Sequence, residues 1–467
     1  MMTSHPHTLR APLPAPLRAP RLTRLATLLA GLCLGAAALA STYTPAPPQA
    51  KAILITGATL HTVSGATIPN GRLLFDKGRI VAVADATGAL NAGNATVIDL
   101  RGKHIYPGFI SANSALGLVE VSAVRATVDN AEVGAINPNV RALVTINPDS
   151  ELIPVTRANG VLAALAAPSP GRGGLIAGTS ALIQLDGWTF EDMGVAPEVA
   201  LHVSLPRMRF NADLYPPPAD VLVDDMRKDS AKQLAALEDA FEAAAAYTRA
   251  RASGEAPKPD MRWEAMAPVL AGQRPVFMHA DDAAQIRYAL GFAERYKLKL
   301  TIVGGADAWR MADLLRQRQV GVILDGIHEL PHRRGDDYDT IYRAAALLHQ
   351  AGVAFCIARP ADSSAPNNER NLPFEAAFAV AFGLPKDEAL KAITLYPAQL
   401  LGVADKLGSL EPGKLASFIV TNGDPMEYTT QVERAYIQGR EIDLDNRQLM
   451  LKRKYEEKYR QRAAAGQ

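Results

Sequence analysis

Between residues 276 and 382 the chain alternates short apolar runs with amphipathic stretches, four times in succession. The runs at 276–280, 299–303, 320–324 and 353–358 are too short for helices and too uniformly apolar for half-exposed strands. They read as strands covered on both faces, which is the signature of a parallel sheet between helices. The stretches at 283–296, 307–316, 338–350 and 374–382 carry the helical period. Four β/α units in a row predict a barrel or a doubly wound sheet. Four further candidate strands, at 105–110, 161–166, 181–185 and 199–203, bring the count to eight. The expected fold class is therefore α/β, a (β/α)8 TIM-like barrel over 107–404. Residues 211–262 hold three consecutive prolines and an Ala-rich helical stretch, and read as an insertion packed on the outside.

The flanks differ in texture. Residues 52–56, 72–75, 80–83 and 97–100 are β-rich and separated by turn signals such as Asp76-Lys77-Gly78. Residues 416–421 and 434–438 read the same way, with Gly439-Arg440 as a hairpin turn. The segments 51–106 and 405–445 are thus expected to form one small β-sandwich from both chain ends. Residues 446–467 read as a charged, solvated C-terminal helix.

Residues 1–24 carry Arg10, Arg18, Arg21 and Arg24 and no acidic residue, and an apolar run follows to Leu39. Ala38-Leu39-Ala40 fits a cleavage site, so 1–40 reads as a secretory signal peptide and the mature chain as periplasmic or secreted. The run of about 15 residues is shorter than a bilayer span, so no membrane association is expected after cleavage. Residues 41–50 read as an exposed Pro-rich linker. Removing the four arginines from the 49 basic residues leaves 45 against 48 acidic ones, a balance that offers no basic face for nucleic acid. Cys33 and Cys356 are the only cysteines, which excludes a disulfide framework and a thiolate zinc site.

Several stretches, taken in order, resemble the amidohydrolase superfamily, and its imidazolonepropionase-like branch in particular. They are Gly57-Ala58-Thr59-Leu60 with Asp76-Lys77-Gly78-Arg79-Ile80, and Ile98-Asp99-Leu100-Arg101-Gly102-Lys103 leading to Tyr106-Pro107-Gly108-Phe109-Ile110. Ala389-Leu390-Lys391-Ala392-Ile393-Thr394, Gly408-Ser409-Leu410-Glu411-Pro412-Gly413-Lys414 and Ile437-Gln438-Gly439-Arg440 follow. The resemblance implies hydrolysis of carbon–nitrogen bonds other than peptide bonds. It also implies a zinc ion or other divalent metal at the barrel mouth that activates water.

The ligand positions depart from that pattern. The family's His-x-His pair falls on Asn113 and Ala115, and the aspartate before it on Ser111. His279 matches the fifth-strand histidine and is the one metal ligand retained. Gly304-Gly305 stands where the sixth-strand histidine belongs, and Arg359-Pro360 where the eighth-strand aspartate belongs, with Asp362 just beyond. A catalytic zinc site needs about three protein ligands, and His279 with Asp362 make two. No tightly held ion is expected unless the family site survives. His279 and Asp362 remain the catalytic candidates.

Asn113, Arg125, Arg157, Trp188 and His328 are candidate substrate-binding residues at the mouth, with His332 four positions after His328. Two functions stay open. One is a secreted hydrolase with a reduced metal site. The other is an inactive relative that binds a small amide-type ligand or a partner subunit, as a homo-oligomer or a mixed dimer with an intact paralogue.

Overall fold

The structure, a computed structural model, describes residues 43–466 apart from 172, 211–221, 256, 334 and 363. Segment 1–40, expected from sequence to be a signal peptide, and the three prolines at 216–218 lie outside the described residues. The chain is mixed α/β.

Five strands open it: β1 (Ile53–Leu60), β2 (Ile68–Asp76), β3 (Arg79–Ala84), β4 (Thr96–Asp99) and β5 (His104–Pro107). Among the described residues, ten strands build the middle. They are β6 (Phe109–Ser114), β7 (Val161–Ala166), β8 (Ile176–Thr179), β9 (Ala181–Gln184) and β10 (Gly194–Ala196). The others are β11 (Leu201–Ser204), β12 (Val276–Ala280), β13 (Leu300–Gly304), β14 (Gly321–Asp325) and β15 (Phe355–Ala358). The chain closes with β16 (Phe418–Thr421), β17 (Val432–Ile437) and β18 (Arg440–Ile442).

Both chain ends share one eight-stranded sheet in the order β18-β17-β16-β5-β1-β2-β3, with β4 paired to β1. Its core is aromatic: Phe75 lies edge-on to Phe418 and Tyr436, which stack on each other at 4.7 Å. The two hairpin turns read from sequence meet tip to tip. Lys77 and Gly78 (φ 49° and 77°) turn one, and Gln438 and Gly439 (φ 49° and 72°) turn the other. Left-handed conformation at both central residues matches the twist of the flanking strands. Gly78 N–H donates to Gln49 Oε1 at 2.9 Å, and a Cβ on Gly439 would run into that same oxygen.

That contact corrects the reading of 41–50 as an exposed linker. From Tyr43 onward the segment is docked: Ala46 is buried, and Gln49 bridges the two turns. Prolines disqualified it as a strand, but its anchors are side chains rather than ladder hydrogen bonds.

In the middle, β10-β9-β7-β6 form one sheet and β15-β14-β13-β12-β11-β8 another. β11 to β15 pair in parallel throughout. The segment 105–110 is not one strand. It breaks at Gly108, so that Pro107 pairs in the end sheet while Phe109 pairs with Val161. A Cβ on Gly108 would lie 2.6 Å from the Leu162 side chain, which makes the glycine necessary at this close crossing.

The expected strand at 181–185 exists but runs the other way. β9 is antiparallel to β7, and β8 is antiparallel to β11. Among the described residues between Ala166 and Ala181 the chain forms only the short strand β8 and no helix, so no βα crossover returns it to pair in parallel with β7.

The proposed insertion holds two ordinary connecting helices, Val223–Ala252 and Met261–Leu270, between β11 and β12. The longer one packs Phe241 against Phe292 and Tyr296 of the Ala283–Tyr296 helix, at 4.8 and 5.2 Å. The Ala283–Tyr296 helix itself opens on a capping box, with Asp282 and Gln285 satisfying each other's backbone N–H groups. The C-terminal helix, Arg447–Ala464, buries none of its residues.

Candidate functional site

The carboxyl ends of the middle strands bring several carboxyls to one cavity. β12 ends at Ala280, so Asp281 is the first residue beyond it, and Asp325 is the last residue of β14. With Gly304, Leu324, Ile327, Glu329, His332, Ile341 and Pro360, among others, these two carboxyls line a cavity of about 210 Å³. Parallel strands bring their ends to one face, which is why residues 44 positions apart share one wall.

The cavity is acidic. Burial first, then the Asp281 and Glu329 charges, push the Asp325 carboxyl up to about 8. The Asp281 carboxyl is also raised, chiefly by desolvation, with His332 pulling against it. His332 lies 3.6 Å from Glu329, and that pairing raises the imidazole.

Asn113, at the end of β6, reaches this group from the side. Its Nδ2 donates to Asp325 Oδ2 at 3.0 Å, while its own Oδ1 is buried without a partner. Beside it, Ser111 and Ser114 both donate to Glu369, at 2.5 and 2.7 Å. Glu369 is fully buried in the 3-10 turn Ala365–Asn371, and burial raises its carboxyl to about 7 against the pull of the two hydroxyls. Arg359 pairs with Glu375 of the Leu372–Ala381 helix.

His279 faces His202 of β11, with Nε2 2.9 Å from Nδ1. Desolvation lowers both imidazoles, His279 to about 4, so the pair is neutral and joined by one shared proton.

The family metal does not fit these residues. A zinc ligand set needs three or so lone pairs converging on one point. Asn113 turns its amide N–H toward a carboxylate, and Ala115 has no donor atom. His279 is engaged by His202, and a Cβ on Gly304 would collide with Asp281, leaving no room for a side chain there. Among the described residues no three His, Cys, Asp or Glu side chains are placed to hold an ion.

Of the candidates from sequence, Asn113 stands at the edge of the cavity group and His332 in its lining. Arg157 does not belong to it. It is fully buried, paired with Asp186 at 3.4 Å and covered by Tyr43, because it ends the Leu152–Arg157 helix inside the body rather than a loop at the mouth. Trp188 is 66% exposed and Arg125 bonds its own turn at Val128, and neither lines the cavity. His328 packs on Phe378 at 4.6 Å, and Asp362 holds the Ser364 N–H and hydroxyl. Reading for imidazoles missed Asp281, Asp325, Glu329, Glu369 and His202. The available signal was position: Asp281 and Asp325 directly close two predicted strands.

The amidohydrolase family model matches residues 338–445. The amidohydrolase tasK of Hapsidospora irregularis is 21% identical over 395 residues, 79% of this chain. The chain spans only 39% of that protein's length. The imidazolonepropionase of Erwinia tasmaniensis is 50% identical over 38 residues, 8% of this chain and 9% of that protein. The crystal structure of an amidohydrolase from Thermotoga maritima superimposes with a TM-score of 0.72 at 25% identity, covering 84% of this chain and 99% of that one. The family-model match and the likeness to the Thermotoga maritima amidohydrolase support the amidohydrolase superfamily for this chain.

Proposed function

We propose that the chain is an exported amidohydrolase-superfamily protein that receives a small amide-bearing molecule at the ends of β12–β15, without a resident metal ion. In this reading the two middle sheets make one (β/α)8 barrel and the end sheet is its sandwich companion. The Arg-rich, acid-free leader and the Ala38-Leu39-Ala40 site support export. The observation that carries the reading is the Asn113–Asp325 hydrogen bond, which commits a family ligand position to a carboxyl of the cavity wall. Carboxyls at Asp281, Asp325 and Glu329 suit the N–H donors of an amide, and Leu324, Ile327 and Ile341 suit its carbon skeleton.

Hydrolysis of such an amide is the second reading. One observation favours it: the raised Asp325 carboxyl holds a proton near neutral pH, the condition for a general acid.

Metal analysis of the purified mature protein, with His279→Ala beside it, tests the first reading. Calorimetric binding and product assays on lactams and acylated amino acids complete the experiment. Binding without metal or product supports ligand capture. Stoichiometric zinc that is lost in the variant rejects the metal-free site.

A further inference from the structure

At the end of β6 the side chains around the family's ligand positions are not idle. Ser111 and Ser114 each give a hydroxyl proton to one oxygen of Glu369, which lies 258 and 255 positions further along the chain. All three residues are fully buried. Glu369 sits in the turn that joins β15 to the Leu372–Ala381 helix, so the two hydrogen bonds fasten β6 to the exit of β15. Asn113 fastens the same strand to β14 through Asp325. We propose that Glu369, with Ser111 and Ser114, is an internal tie that takes over at the strand ends the cohesion a bound ion would otherwise supply.

The chemistry is sound on its own terms. A buried carboxyl is tolerated when each oxygen has a donor, and here each has one. Arg359, next after β15, pairs with Glu375, and the hydroxyls of Ser111 and Ser114 hydrogen-bond Glu369. The tie shares with the proposed function the loss of family ligands. None of its three residues lines the cavity, however, so a failed ligand search leaves it standing.

Denaturant unfolding of the full mature chain tests it. Glu369→Leu strands two buried hydroxyls and is expected to raise the unfolding constant by about 10-fold or more. Adding Ser111→Ala and Ser114→Ala in that background removes the stranded groups and is expected to recover at least about 5-fold. Should Glu369→Leu fail to fold, Glu369→Gln replaces it, with the same non-additivity expected against Ser111→Ala. A chelator leaves the wild-type midpoint unchanged. Purely additive substitutions, or a midpoint that drops on chelation, would overturn the tie.

Discussion

Arg157 and Asp186 form an ion pair in which neither side chain is reached by solvent, with Nη1 3.4 Å from Oδ1. Tyr43 lies over the guanidinium at 3.7 Å and donates its hydroxyl to the same carboxylate, and Arg440 approaches its other oxygen at 2.9 Å. The cluster thus joins four distant segments: the start of the docked N-terminal stretch, the Leu152–Arg157 helix, the end of β9 and the last hairpin.

Breaking one side of a buried pair leaves the other charge uncompensated. Asp186→Asn should therefore cost about 3–5 kcal/mol in denaturant unfolding. Arg157 loses its carboxylate while staying in a site without water. A cost below about 1 kcal/mol would mean that the Tyr43 ring and the Leu185 carbonyl alone suffice to hold the guanidinium.

Stability should fall as pH rises across the range set by Asp325. Its unfolded value is 3.8 and its folded value about 8, so the folded chain keeps a proton that the unfolded chain has lost. The unfolded state then binds fewer protons, and the slope of stability against pH is negative between those values. Glu369 adds to the slope between 4.5 and about 7. Asp325→Asn should flatten the thermal midpoint against pH, with Asp281 and Glu329 still in place.

The imidazole pair works in the opposite direction. His279 titrates near 4 when folded and His202 well below its usual 6.5, whereas both take a proton near 6.5 when unfolded. Stability supplied by their neutrality is whole above 6.5 and declines as pH falls toward 4. Proton NMR should find both rings neutral at pH 5.5. The double variant His202→Gln/His279→Gln should lose the acid-side decline.

Phe241 is fully buried where the Val223–Ala252 helix meets the Ala283–Tyr296 helix. Phe241→Ala should cost about 3–5 kcal/mol, the usual penalty for emptying an aromatic core position. A loose outer insertion would show almost none, so the same measurement decides whether this helix belongs to the body.

Local patterns were readable where local physics sets them. The apolar runs of β12 to β15 and the two left-handed turns at Gly78 and Gly439 follow from residues within a few positions. The absence of an imidazole at Asn113, Ala115 and Gly304 was equally legible, because residue identity needs no geometry. Arg157 was misplaced because burial depends on what packs from elsewhere, here Tyr43 and Asp186.

Sequence alone determined the strand–helix alternation of β12 to β15 and the residue type at each family position. Those follow from side-chain period and chemical identity. Tertiary structure alone decided that β8 and β9 run against their neighbours, since a period of two is the same in either direction. It also decided that Asp281 and Asp325 share a wall and that Glu369 meets Ser111. Such meetings join groups tens to hundreds of residues apart, and no local interaction encodes them.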